Sequence, residues 1–294
     1  MDVRLAPTHI YTLNPSLDFE AAKQQAIDKR ITTVAGGLGG LFSRPKPEEV
    51  DLVYAEIRYE SFWHVTCLVR YVFERTKQFT VPVTGVEVRT VTIMDHEFEI
   101  AAQPAQSAPS GGFLSQLGQQ IGLSNTVRTF TLAGVEHCLD ENRQVQYLDA
   151  MNSQALPLGA DYVQKDKTEV TDLAPLSTGD VLVVVPQFSA AKIAKSVLAS
   201  MIKPIQADKI LEETAEIETL DLYFRPIYAF EFAWKTKNKT GVAEFDAVTG
   251  AMTSGKALHT KSDKAITRES LFDINAETVP SLIPTATGNV QLRP

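Results

Sequence analysis

Between Ile57 and Phe73 apolar and polar side chains alternate. Ile57, Tyr59, Trp63, Val65, Cys67, Val69, Tyr71 and Phe73 hold odd positions, interrupted only by Ser61, while Arg58, Glu60, His64, Thr66, Arg70 and Glu74 hold even ones. A period of two predicts a β-ribbon with one face in a core. The pattern returns at 222–234, where Leu222, Phe224, Pro226, Tyr228, Phe230, Phe232 and Trp234 share one parity. Tyr59, Trp63, Tyr71, Tyr228, Phe230 and Trp234 are therefore expected in a core. Arg225 and Glu231 fall on the other face, toward solvent or a neighbour.

Two stretches have helical spacing instead. In 17–34, Phe19, Ala22, Ala26 and Ile27 fall on one side, and Asp18 can cap the start. In 188–205, Ile193, Val197 and Met201 face one way. Shorter strands are expected at 127–133, 143–149 and 180–186, with a further pair on either side of Gly85. "AAQPAQSAPSGG" at 101–112 has linker composition. A short amphipathic helix carrying Phe113, Leu114, Leu117 and Ile121 is expected after it. From Thr260 the chain is polar and proline-bearing and reads as a tail, disordered or draped over the body.

"FDAVTG" at 245–250 closes a hairpin in this reading. Asp246 can accept from backbone N–H groups two and three residues on, and Gly250 supplies a positive φ. The motif also exposes an internal likeness. At an offset of 165 positions, Tyr59 meets Phe224, Trp63 meets Tyr228, and Val83-Thr84-Gly85 meets Val248-Thr249-Gly250. "FEAAK" at 19–23 echoes "FSAAK" at 188–192. "VQYLDAMNS" at 145–153 echoes "VAEFDAVTG" at 242–250.

The fold expected from these elements is α+β: two helix-on-antiparallel-sheet repeats joined by a linker and a central β segment. The divisions fall at 1–97 for the first repeat, 98–126 for the linker and its helix, 127–179 for the central segment, 180–257 for the second repeat and 258–294 for the tail.

Ala190-Ala191-Lys192-Ile193-Ala194, then Tyr228-Ala229-Phe230-Glu231-Phe232, then Phe245-Asp246-Ala247-Val248-Thr249-Gly250 together resemble the PepSY-type domain. The resemblance covers 188–252 and, more weakly, 19–93, where Pro82-Val83-Thr84-Gly85 lacks the Asp-Ala. It implies a helix packed on an antiparallel sheet and a binding or regulatory role, usually outside the cytoplasm. It carries over no catalytic residue, since the family shares none.

Composition narrows the classes. The 294 residues carry a net charge of -8, which argues against a nucleic-acid partner because phosphates need a basic face. Two cysteines are too few for a disulfide framework. No signal peptide is read at the start, and no run of about 18 apolar residues could span a bilayer. A cytoplasmic protein is the expectation.

Candidate chemistry is sparse. His64, Cys67, His137 and Cys138 could form a zinc set, but opposite strand parity sends His64 and Cys67 to opposite faces. Asp95, Glu97 and Glu99 share a face near 95–99, and with His137 in the cluster at 136–141 they could hold a divalent ion if their strands pair. The alternative is a solvated strand end. Leu38, Leu41 and Phe42 in "GGLGGLF", with Phe113 and Leu117, could touch a partner or a membrane surface. No cofactor is expected. The expected role is a non-enzymatic protein-binding or scaffold module. A metal-dependent protein or enzyme using the acidic/His clusters, and a membrane-surface adaptor through 36–46 and 111–123, are the alternatives.

Overall fold

The structure, a computed structural model, describes residues 1–35, 45–104, 126–177, 181–259, 266–275, 277–283 and 291–293. The strands are β1 (Asp2–Leu5), β2 (Ile10–Leu13), β3 (Val50–Pro82), β4 (Thr90–Ile93), β5 (His96–Glu99), β6 (Ala101–Pro104), β7 (Thr126–Asp149), β8 (Lys167–Glu169), β9 (Val181–Val183), β10 (Lys209–Trp234), β11 (Lys239–Asp246), β12 (Met252–Ser254) and β13 (Gln291–Arg293). The helices are α1 (Phe19–Asp28), α2 (Arg30–Ala35), α3 (Gly159–Tyr162), α4 (Ala174–Ser177), α5 (Ala190–Met201) and α6 (Arg268–Leu271). Single-turn 3₁₀ segments lie at Pro47–Glu49 and Val279–Leu282.

The chain forms two compact units. The first holds Met1–Arg70, Glu141–Lys203 and Glu213–Pro294, and the second holds Tyr71–Asp140 and Pro204–Glu212. The expectation of two helix-on-antiparallel-sheet repeats is overturned. Strands dominate, and apart from the separate β4–β5 pair they join one large mixed sheet whose main path runs β12-β11-β10-β3-β7-β6. β1 and β2 add to β10 in parallel, and β9 adds to β3 in parallel. The physical reason is the length of the alternating runs. β3 and β10 are each far longer than one repeat needs, so they lie side by side and share one sheet.

Some pairings and turn bonds of the first and second parts of the chain correspond, although the layout is not that of two repeats. Ile10 of β2 pairs with Leu222 of β10, while Val181 of β9 pairs with Ile57 of β3. Each short strand thus joins the long strand from the other half of the sequence. The turns behave alike. The N–H groups of Val248 and Thr249 both donate to Asp246 Oδ1 at 2.9 Å, and those of Met151 and Asn152 donate to Asp149 Oδ1 at 2.8 and 3.2 Å. Ala247 N donates to Pro226 O and Ala150 N to Ser61 O, both at 3.0 Å. Ala247 O then accepts from Ser16 and Leu17, at the start of α1, while Ala150 O accepts from Gln187 and Phe188, at the start of α5. The helix of each part thus starts on the turn that follows the other's strands, while its short strand joins the other's long strand.

Two details of the sequence reading change. The counterpart of 246–250 is 149–153, with Ser153 at φ 59 where Gly250 has φ 74, and not 83–85. Residues 90–93 pair with 96–99 through a turn at Met94 and Asp95, so the hairpin expected around Gly85 is displaced.

The core follows from this layout. Ala22, Ala26 and Val34 from α1 and α2 pack on Tyr228, Phe230, Phe232 and Trp234 of β10 and on Phe245 of β11. Asp18 caps α1 by accepting from Glu20 and Ala21, as its position predicts. Phe62, Trp63, Val65, Thr66 and Cys67 are all buried, so the middle of β3 is covered on both faces and not on one. The Trp63 indole donates to Phe188 O at 2.9 Å. Asp273, beyond α6, accepts from Ser189 and from Ala191 N, capping α5, and Val279 and Leu282 are buried. The described part of the C-terminal region is thus packed.

The second unit is thinly cored. Tyr71, Phe73, Thr129 and Phe130 are buried, and Phe98 packs on Phe130 with ring centroids 5.4 Å apart. Asp208 N donates to Glu74 O at 2.9 Å. Val135 and Leu139 of β7 are 55% and 62% exposed.

Candidate functional site

In the first unit, β3 places Glu56, Arg58 and Glu60 two residues apart, hence on one face. Arg58 is almost fully enclosed. It donates to Glu56 at 3.0 Å, to Glu60 at 2.9 Å, to Glu244 of β11 at 2.6 Å and to the carbonyl of Lys256 at 3.0 Å. Glu56, more deeply buried still, also accepts from the backbone N–H groups of Leu258 and His259. His259 in turn meets Glu231 at 2.8 Å and packs its ring on Tyr54.

Glu60 links this cluster to a second one. Arg225 of β10 donates to Glu60 at 2.9 Å and to Asp246 Oδ2 at 3.2 Å, and Tyr162 of α3 also donates to Asp246 Oδ2. Burial alone would lower both guanidinium groups. The carboxylates of Glu60 and Glu244 outweigh that for Arg58, and Glu60, Tyr162 and Asp246 outweigh it for Arg225, so both cations lie above their ordinary value. Burial and the bond to Asp246 push the Tyr162 hydroxyl up to about 12. Both oxygens of Asp246 are therefore engaged, one by its own turn and one by Arg225 and Tyr162. Such a carboxylate fixes the geometry of its turn and of the two side chains that donate to it.

The outer side of the same turn borders an opening of about 370 Å³, lined by Asn14–Ser16, Lys165–Asp166 and Val248–Thr249. The Ser16 hydroxyl donates to Val248 O at 2.7 Å, and Asn14 N to Asp166 O at 2.9 Å. One ammonium, one carboxylate and three neutral polar side chains suit a small polar molecule.

Beside it lies an aromatic cluster. The Lys167 ammonium sits 4.9 Å from the Tyr11 ring centroid and 5.2 Å from that of Tyr223, and donates to Val163 O at 3.0 Å. This is a cation held by two ring faces. Asp221, nearly buried, accepts from His9 N at 2.9 Å, and burial raises its pKa. His64 stacks on Tyr147 at 4.8 Å. Burial, then the charge of Lys167, lowers its pKa.

The residues singled out in the sequence are scattered. Asp95 forms the β4–β5 turn with φ 63, and Glu97 and Glu99 stand on β5 opposite Thr92 and Thr90. His137 pairs with Glu74 at 3.2 Å on neighbouring β3. β5 pairs with β4 and not with β7, so the edge that was to join these residues does not form. No group of three or more His, Cys, Asp or Glu placed to hold a metal occurs among the described residues. Cys67 is buried, its thiol pushed up to about 12 by burial, with His64 on the opposite face as parity predicts. Leu38, Leu41, Phe42, Phe113 and Leu117 lie outside the described residues. No helix among the described residues is long and apolar enough to cross a membrane.

Sequence reading missed the Arg58–Arg225 network. The signal was the charge sequence Glu56, Arg58, Glu60 on one strand face, which looks like a solvated ribbon until the strand turns out to be covered on both sides. No family model, curated protein or solved structure matches this chain.

Proposed function

We propose that this chain is a non-enzymatic protein-binding module, with the free edge of β7 as its docking element. The observation that carries the reading is the exposure of Val135 and Leu139 beside that edge. β6 accompanies β7 only over Thr126–Thr129, and among the described strands only β3 flanks the stretch Phe130–Leu139. An open strand edge with exposed apolar side chains is a template for an added strand. The first unit supports the same reading. Its strongly perturbed charged groups are tied to one another and serve the frame. The likeness of 188–252 to PepSY-type binding domains points the same way.

The test is a photo-crosslinking amino acid placed at Leu139 in the producing cell. The expected result is a discrete adduct with a protein, abolished by Val135→Lys. A residue that crosslinks to nothing at 139, while one at Val86 on the same unit behaves identically, overturns the reading.

A further inference from the structure

We infer that the strand added to β7 belongs to a second copy of this chain, paired edge to edge and antiparallel about His137. The inference rests on the docking role of β7 and names its partner.

A strand edge is its own complement. A two-fold rotation perpendicular to the sheet brings the outward N–H groups of one copy onto the outward C=O groups of the other. The side chains select where the axis falls. With His137 on the axis, Val135 faces Leu139 of the second copy, and by symmetry Leu139 faces Val135. The two most exposed apolar side chains of this stretch are thus covered by each other, twice. Glu136 faces Cys138, so no two carboxylates stand opposite one another, and the axial His137 meets its own copy. An axis at Glu136 would oppose two carboxylates and separate Val135 from Leu139.

The charged groups beside the axis are paired with neighbours on β3. Glu136 is held by Arg75 at 2.6 Å and by Lys77 at 2.9 Å, and His137 by Glu74 at 3.2 Å, all within the second unit. The acidic group nearest the axis is therefore already neutralised by two cations, which offsets the repulsion expected between chains of net charge -8. β6 runs antiparallel to β7 from Thr129 back to Thr126, β5 before it pairs with β4, and among the described strands only β3 and β6 pair with β7. A symmetric pairing closes on itself and leaves no further edge of the same kind.

The experiment combines light scattering with disulfide trapping on the full chain. Wild type is expected to be a dimer that dissociates on dilution. Leu139→Lys and Val135→Lys should be monomers with unchanged far-ultraviolet circular dichroism. In a Cys138→Ser background, Val135→Cys with Leu139→Cys should form a covalent dimer on mild oxidation, and Leu139→Cys alone should not. A wild-type monomer at every concentration, or a Leu139→Lys dimer, overturns the inference. Equal trapping by the single cysteine overturns the register. A monomeric wild type whose residue 139 still crosslinks to another protein sinks the second copy alone and leaves the binding role standing. Loss of both sinks both.

Discussion

Glu60 and Arg225 stand 165 positions apart, follow equivalent pairs in the two long strands, and meet each other at 2.9 Å. Tyr59 pairs with Val183 one residue earlier on β3, and Phe224 pairs with Thr12 one residue earlier on β10. At this position the halves differ, and a carboxylate in one answers a guanidinium in the other.

Arg225→Met should cost about 3 kcal/mol, because Glu60 and Asp246 are left charged and enclosed. The exchanged double variant Glu60→Arg, Arg225→Glu should not recover this loss, since the carboxylate introduced on β10 would then face Asp246. Urea unfolding monitored by fluorescence decides it. Full recovery by the exchange would show that Asp246 contributes nothing to the pair.

Asp246 and Asp149 make the same turn, but only Asp246 also holds Arg225 and Tyr162. Asp149→Ala should cost about 1 kcal/mol, the scale of a lost capping carboxylate. Asp246→Ala should cost roughly two to three times as much, because a buried guanidinium loses a partner. Thermal unfolding of the two variants side by side tests the difference, and equal losses would reduce Asp246 to a turn residue.

His64 makes a prediction for acid solution. Its pKa in the folded chain is below the ordinary value of 6.5, so the unfolded chain binds the proton more readily. The stability this group contributes is complete above 6.5 and is lost as pH falls through the lower, folded value. His64→Phe should remove that part of the acid-side decline. Denaturation midpoints across roughly pH 5 to 8, the range in which an unperturbed histidine titrates, would show the two curves converging toward alkaline pH. Parallel curves would refute it.

The two cysteines should differ in reactivity. Cys67 is enclosed, with its thiol pushed up to about 12, whereas Cys138 is half-buried near the β7 edge. Reaction with a disulfide reagent should label Cys138 in the native protein, and Cys67 only after denaturant is added. Labelling followed by peptide mass mapping identifies which one reacted.

Much of the local structure was legible. Asp18 announces a helix cap, and Asp246 with Gly250 announces a turn, because capping and positive φ are decided within a few residues. The aromatic faces of β3 and β10 were legible for the same reason, since a period of two belongs to the strand itself. The partners of those strands were not. Nothing in Ile10 or Val181 says that each adds to the long strand of the other half, because that choice is made by packing between segments far apart in the chain. The ion network was hidden by the same ignorance. Glu56 and Arg58 look solvated on a strand assumed to have one dry face.

The exchange of elements between halves also dictates when the chain can fold. β2 and α1 both lie before Lys29, yet the strand and turn that receive them are β10, β11 and residues 246–250. During synthesis the amino-terminal segment leaves the ribosome with no seat, and it must wait until nearly the whole chain has followed. Native contacts of such long sequence separation make for slow assembly, with exposed strands in the interval. Nor can either half be cut away without removing the bed on which the other rests. Fragments divided between β6 and β7 should therefore fail to fold alone, and mixing the two fragments should restore the native spectrum where each by itself does not.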